Sequence, residues 1–230
     1  MRPPSVWEPD NRVWGPIQHN MSKQFDLDNL NARFADASAG DILRWVSERP
    51  EPTIATTSFG PRSAVILHLI SEHLPGLPVV WVDSGYNMRD TYVVAEQLIR
   101  RLDLDMRVYV PGVTTERLNV MMGGIPTLDE PDKHAEFTRL VKLEPFERAL
   151  GELEPSIWIS GIRKDDTDFR RGLDHFSIDA RGILKVAPVF NWSDEQLDDY
   201  LALHKLPSCR HYFDPTKVES GRECGLHTAA

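Results

Sequence analysis

Apolar positions change period several times along the chain, and each change marks an element. Leu27, Leu30, Phe34, Ile42, Leu43 and Val46 recur at helical spacing over 26–48, with a break near Ser38 and Gly40, before Pro50 and Pro52 punctuate. TIATT at 53–57 reads as a short buried strand that runs through residues 58–63 into an apolar helix, AVILHLISEHL. PVVWVD at 78–83 predicts a second strand, followed by a turn at Ser84-Gly85 and a helix over 90–102. MRVYV at 106–110 predicts a third strand, 135–152 a helix, SIWISGI at 156–162 a fourth strand, and ILKVAPVF at 183–190 a strand or extended segment. The last helix spans 193–204, with Ser193 as N-cap and Asp194 and Glu195 in the first turn, where the helix dipole favours acids.

This alternation predicts an α/β fold, a doubly wound and mainly parallel sheet with helices on both faces. Ligands of such sheets sit beyond the carboxyl ends of the strands. That directs attention to the loops 58–63, 83–89 and 161–171. The chain divides into an N-terminal arm at 1–25, an α/β body at 26–207 and a mobile C-terminal tail at 208–230. The arm, rich in Pro, Trp and Asn, either packs on the body or a partner subunit or is partly disordered.

Composition narrows the function classes. The 230 residues are 41% hydrophobic and 27% charged, as in ordinary globular proteins. No apolar run approaches the roughly 20 residues of a membrane span. The opening MRPPSVWEPDNRVW lacks the apolar stretch of a secretory signal, and a cytoplasmic location is expected. A net charge of -9 argues against non-specific nucleic-acid binding, but not against a small anionic ligand held by a local cluster of cations. The two cysteines, Cys209 and Cys224, supply neither a disulfide framework nor the four thiolates of an iron–sulfur cluster. A pairing across the tail is conceivable, but a reactive thiol is the better use of them in a cytosolic protein.

Four segments carry candidate chemistry, and each has an ordinary structural alternative. In TTSFGPRSAVILHL, Ser58, Phe59, Gly60, Arg62 and Ser63 join a strand to a helix. Free backbone N–H groups, the helix dipole and two hydroxyls make that a phosphate cradle, although such turns recur throughout α/β folds. It is not a Walker A loop, because the Gly-Lys-Ser/Thr ending is missing. In VDSGYNMRDTY, Asp83, Ser84 and Gly85 close a strand, and Asp83 either receives a ribose or base or simply caps the turn. SGIRKDDTDFRRG holds Gly161, Ile162, Arg163, Lys164, Arg170 and Arg171 at a strand end. That cluster suits a multiply charged phosphate, but the interleaved Asp165, Asp166 and Asp168 suit a solvated surface. Finally, RECGLH places Cys224 near the end of the sequence, with Arg222 and His227 able to favour its thiolate and Glu223 opposing them.

Together, and in this order, the four segments resemble the phosphoadenylyl sulfate reductase family, within the wider adenine-nucleotide alpha-hydrolase-like (PP-loop) group. The resemblance covers about 40–228. SFGPRSAVILHL looks like the family's modified phosphate loop, VDSGYNMRDTY like its strand-end Asp-Thr/Ser-Gly-Tyr segment, and VKLEPFERAL like its Lys-Val-Glu-Pro helix, with Lys142 at the family's lysine. GIRKDDTDFR aligns with its arginine loop, and ECGLH carries its catalytic cysteine onto Cys224. The resemblance implies thiol-dependent reduction of 3′-phosphoadenylyl sulfate to sulfite and adenosine 3′,5′-bisphosphate in sulfate assimilation. Cys224 would be the nucleophile, His227 would tune it, and an enzyme S-sulfocysteine would be reduced by thioredoxin or glutaredoxin. It also implies a homodimer. Family members that use the unphosphorylated nucleotide usually carry paired cysteines for an iron–sulfur cluster. Phe137 and Thr138 stand at one such pair here, so no bound cofactor and the 3′-phosphorylated substrate are expected.

The sequence also departs from the family pattern. Only SCRHYFDPTKVESGR bridges the last helix and ECGLH, a shorter stretch than in relatives, which leaves open which subunit's site Cys224 visits. Three other readings remain: a cluster-free reductase of adenylyl sulfate, a PP-loop ATP pyrophosphatase acting in sulfur transfer, and a nucleotide-binding subunit without turnover. The pyrophosphatase motif Ser-Gly-Gly-x-Asp-Ser is incomplete in Ser-Phe-Gly-Pro-Arg-Ser.

Overall fold

A computed structural model describes residues 25–217. The predicted helical stretch over 26–48 forms two helices, α1 (Leu27–Phe34) and α2 (Ala39–Ser47). They separate where Ser38 starts a new helix through a capping box with Asp41. The chain then alternates through β1 (Thr53–Thr57), α3 (Ser63–His73), β2 (Pro78–Val82), α4 (Arg89–Leu102) and β3 (Asp105–Tyr109). It returns through α5 (Thr115–Met122), α6 (Pro131–Thr138), a π-helical turn at Arg139–Leu143 and α7 (Glu144–Leu153). β4 (Ile157–Ile159), β5 (Phe176–Ile178), β6 (Leu184–Val186) and α8 (Asp194–Leu203) complete it.

The six strands run in the order β3-β2-β1-β4-β6-β5. All neighbours are parallel except β5, which pairs antiparallel with β6. Successive strands after β1 move outward on one side, and β4 then starts the other side. The strand order therefore reverses between β1 and β4, which opens a crevice at their carboxyl ends.

Side chains alternate across the sheet as the strand period requires. Ala55 and Ile159 join the larger core, with Ile42, Leu43, Leu67, Ile70 and Leu98. Ile54, Val80 and Trp158 point to the opposite face and pack with Phe146 and Ala149 of α7. Among the described residues, no helix is long and apolar enough to cross a membrane.

The sequence reading did not resolve two elements. β5 has only three residues, and α5 buries a single side chain, Leu118, so neither leaves a strong periodic signal. The stretch predicted as one helix over 135–152 is interrupted by the π turn, where the Glu144 N–H bonds to the Arg139 carbonyl. This wide turn accommodates Pro145, whose ring would crowd the carbonyl four residues earlier in a regular α-helix.

Residues 208–217, assigned from sequence to a mobile tail, are tied to the body. The Ser208 hydroxyl donates to the Pro61 carbonyl at 2.6 Å, and Asp90 accepts from the Arg210 and His211 N–H groups. These bonds to backbone N–H groups hold the Asp90 carboxyl below its ordinary value. Cys209 is buried, its sulfur donating to the His211 carbonyl at 3.1 Å. The expected arm through residue 24, and Arg222, Glu223, Cys224 and His227, lie outside the described residues.

Candidate active site

β1 ends in the loop that was expected to cradle phosphate. The tight backbone position is Phe59 (φ 50°) rather than Gly60, and the Phe59 N–H bonds to Thr57 Oγ1 at 3.2 Å. The Phe59 ring is fully buried against Trp81, with ring centroids 4.9 Å apart. The aromatic side chain thus anchors the turn in the core, while Ser58, Gly60, Arg62 and Ser63 line an open cavity. α3 begins there, its N-cap residue Arg62 making no side-chain bond to the first turn, and Arg62 and Ser63 bring the positive end of the helix to the cavity wall.

That cavity measures about 420 Å³ and lies at the switch point between β1 and β4. Ser84, Lys142, Gly161, Ile162, Arg163 and Arg170 also line it, so ten of the expected ligand residues converge there. Gly161 is closely packed, since a Cβ at this position would meet Ile66 Cγ2 at 3.0 Å, closer than most such contacts.

Five expected residues do not line the cavity. Phe59 is in the core. Asp83 spends its carboxylate on the Gly85 N–H, the Asn87 amide and the Tyr92 hydroxyl, the turn-capping alternative. Burial and the Asp83 contact push Tyr92 up to about 12. Gly85 turns the chain with φ 78° beside Thr115. The Lys164 N–H bonds to the Phe190 carbonyl, and the exposed Arg171 pairs with Asp168.

Every cation that was expected to bind the anion and that lines the cavity meets a carboxylate. Arg62 makes a two-pronged contact to Asp198, both bonds 2.9 Å, and reaches Asp194 at 2.8 Å. Arg163 pairs with Asp166 and Asp194 at 2.7 Å each. Asp166 also receives Arg170 at 2.8 Å, so one carboxylate aligns two guanidinium groups. The side chains of Arg163 and Arg170 are 12% and 7% exposed, whereas Asp165, Asp168 and Arg171 of the same loop face solvent, so the loop is buried on one side and wet on the other. Hydrogen bonding to Arg163 holds Asp194 below its ordinary value, and hydrogen bonding to Arg62 does the same for Asp198. Lys142 is carried on the π turn and bonds to Asp214 at 2.5 Å and to Thr216 Oγ1 at 3.3 Å. Burial works to raise the Asp214 carboxyl, but the Lys142 charge and the Lys142 and Thr216 hydrogen bonds outweigh it and hold the group low.

Chemically, the cavity wall carries four cations aligned by internal carboxylates, an arrangement able to receive an anion. A guanidinium held in a fixed plane loses less entropy on meeting phosphate or sulfonate oxygens. The sequence reading did not single out Ser160, Tyr212, Phe213, Asp214 or Lys217, which also line the cavity. Asp214 and Lys217 fall in the segment where the family pattern is shortened, and no motif marked them. Among the described residues, no group of three or more His, Cys, Asp or Glu side chains is arranged to hold a metal ion.

Comparison with known proteins identifies the family. Residues 52–215 match the model of the phosphoadenosine phosphosulfate reductase domain. A phosphoadenosine 5′-phosphosulfate reductase of Synechocystis sp. is 33% identical over 207 residues, covering 89% of this chain and 82% of that protein. One from Xanthomonas oryzae pv. oryzae is also 33% identical, covering 88% and 92%. The crystal structure of phosphoadenylyl-sulfate reductase from Candida auris in its phosphate complex superposes with a TM-score of 0.69 at 27% identity, covering 80% of this chain and 87% of that one. A U34-tRNA thiolase from Methanococcus maripaludis shares the fold alone, at a TM-score of 0.52 and 12% identity. By sequence and fold, the chain belongs to the phosphoadenosine phosphosulfate reductase family.

Proposed function

We propose that the protein reduces 3′-phosphoadenylyl sulfate to sulfite and adenosine 3′,5′-bisphosphate in sulfate assimilation. The observation that carries this reading is the convergence of Lys142, Arg163 and Arg170 with the uncapped start of α3 in one cavity of a chain of this family. The two ends of the substrate that need such groups are its phosphosulfate and its 3′-phosphate.

In the proposed reaction the Cys224 thiolate attacks the sulfonate sulfur, and the sulfur–oxygen bond to the nucleotide phosphate breaks. Adenosine 3′,5′-bisphosphate leaves with the electron pair. Its developing charge is held by the cations and by N–H groups of the 58–63 loop. The enzyme is left as an S-sulfocysteine. An external dithiol of the thioredoxin or glutaredoxin kind attacks the Cys224 sulfur, releasing sulfite. A second attack then regenerates the Cys224 thiol and leaves the reductant as a disulfide. Lys217 is on the cavity wall, and Cys224 follows it by seven residues. Seven residues span at most about 25 Å, enough to bring the thiol back to its own chain's cavity.

Intact-mass analysis of the reduced protein with the phosphorylated or unphosphorylated nucleotide, and no reductant, tests this reading. A sulfonate-sized gain is expected on the wild type and not on Cys224→Ser, larger with the 3′-phosphorylated nucleotide, and erased by reduced thioredoxin. No adduct from a protein that binds the nucleotide would overturn the mechanism.

A further inference from the structure

Ser160 follows β4, lines the cavity and is 2% exposed. Its hydroxyl is buried without a hydrogen-bond partner among the described residues. The backbone N–H of the same residue is already committed to the Val186 carbonyl at 2.9 Å, which fixes the position of the strand end. A buried hydroxyl left unpaired is destabilising, and folded proteins rarely keep one without a use.

The surroundings of Ser160 indicate which part of a ligand would satisfy it. The register pairs Ala55 with Ile159 and Thr56 with Val80, so Ser160 ends a row with Thr56 and Val80 on the α7 face of the sheet. Thr56 already accepts the Trp158 indole N–H at 2.9 Å. Phe146 of α7 packs with Val80 in the core cluster of this face and also lines the cavity. Thr56, Val80, Ser160 and Phe146 on this wall are uncharged, and the cations lining the same cavity are Arg62, Arg163, Arg170 and Lys142, the last on the turn that leads into α7. Phosphate and sulfonate oxygens belong with the cations, which leaves the uncharged wall for the nucleoside.

We propose that Ser160 is a specificity-determining contact for the nucleoside part of the substrate, its hydroxyl bonding to a ribose hydroxyl or a base nitrogen. This rests on the sulfonucleotide reading of the cavity. The contact is made equally in ground and transition states, so its loss raises KM and leaves kcat nearly unchanged.

Calorimetric titration of the full chain with adenosine 3′,5′-bisphosphate and, separately, with pyrophosphate tests the assignment. Ser160→Ala is expected to weaken the nucleotide roughly tenfold and to change pyrophosphate by less than about twofold. The unliganded variant should melt no lower than wild type, because an unpaired hydroxyl has been removed. Ser160→Cys keeps the shape with a much weaker hydrogen-bonding group, and it decides the matter if the alanine variant fails to fold. Unchanged nucleotide affinity, or an equal loss for pyrophosphate, would overturn the proposal. A wild type that binds pyrophosphate but no nucleotide would instead overturn the sulfonucleotide reading, and this contact with it.

Discussion

Lys142 has two tasks in the proposed function, since it lines the cavity assigned to the anion and neutralises Asp214, whose side chain is only 7% exposed. Removing one partner of a buried ion pair strands the other charge. Lys142→Ala is therefore expected to lower unfolding free energy by about 3 kcal/mol, read from urea titration. It should also reduce sulfite formation far more than the destabilisation explains at temperatures where the variant is folded. A variant as stable as wild type would show that Asp214 is solvated in solution. At Arg163 the argument is geometric. Its guanidinium reaches Asp166 and Asp194 and also donates to the Trp192 carbonyl at 3.3 Å, a fork that a lysine ammonium cannot reproduce.

Among the elements, the loops after β1 and β2 solve the same turning problem differently. After β1 the left-handed position is taken by Phe59, stabilised by the burial of its ring. After β2 it is taken by Gly85, whose carbonyl accepts the Thr115 hydroxyl of α5 at 3.2 Å. A Cβ at Gly85 would collide with Thr115 Oγ1, and the backbone angle is strained for any other residue. Gly85→Ala should cost about 1–3 kcal/mol. The damage should appear as faster amide exchange in α5, with α3 protected as before. Equal loosening of α3 would mean that the two loops are one cooperative unit.

Across the whole molecule, carboxylates held low make folding sensitive to acid. Asp194, Asp198, Asp214 and Glu136 all titrate below their ordinary values of 3.8 for Asp and 4.5 for Glu, through the bonding partners already described and, for Glu136, through hydrogen bonding to Arg139. A depressed folded-state value means that the stabilisation is present above the ordinary value and is lost as pH falls through the folded one. Urea midpoints should therefore decline as pH drops below about 4.5. Asp214→Asn is expected to start lower at neutral pH and to converge on wild type in acid. The more exposed Asp194 and Asp198 contribute less, because water screens their pairs. Parallel curves for the two proteins would assign the acid sensitivity to groups other than Asp214.

Hydrophobic period, with proline, turn and N-cap signals, was enough for the main alternation of elements, from TIATT at 53–57 to the Ser193-capped last helix, because burying one face of a strand or helix writes itself into neighbouring positions. It was not enough for β5 or α5. The loops worth inspecting followed from that alternation, and ten of the expected ligand residues do line one cavity. The family pattern was equally local, a set of short segments in fixed order. What only the tertiary structure decided was which charges meet. Asp166, interleaved among cations, had the look of a solvated surface until the fold set it between Arg163 and Arg170. Lys142 and Asp214 are 72 residues apart, and nothing in either segment names the other. Ser160 directly follows the apolar strand β4, and only the packing around it shows a hydroxyl without a partner among the described residues. Periodicity is a property of neighbours along the chain, whereas electrostatic and hydrogen-bond energies depend on distance in space, which the chain acquires only when its strands pair around β1.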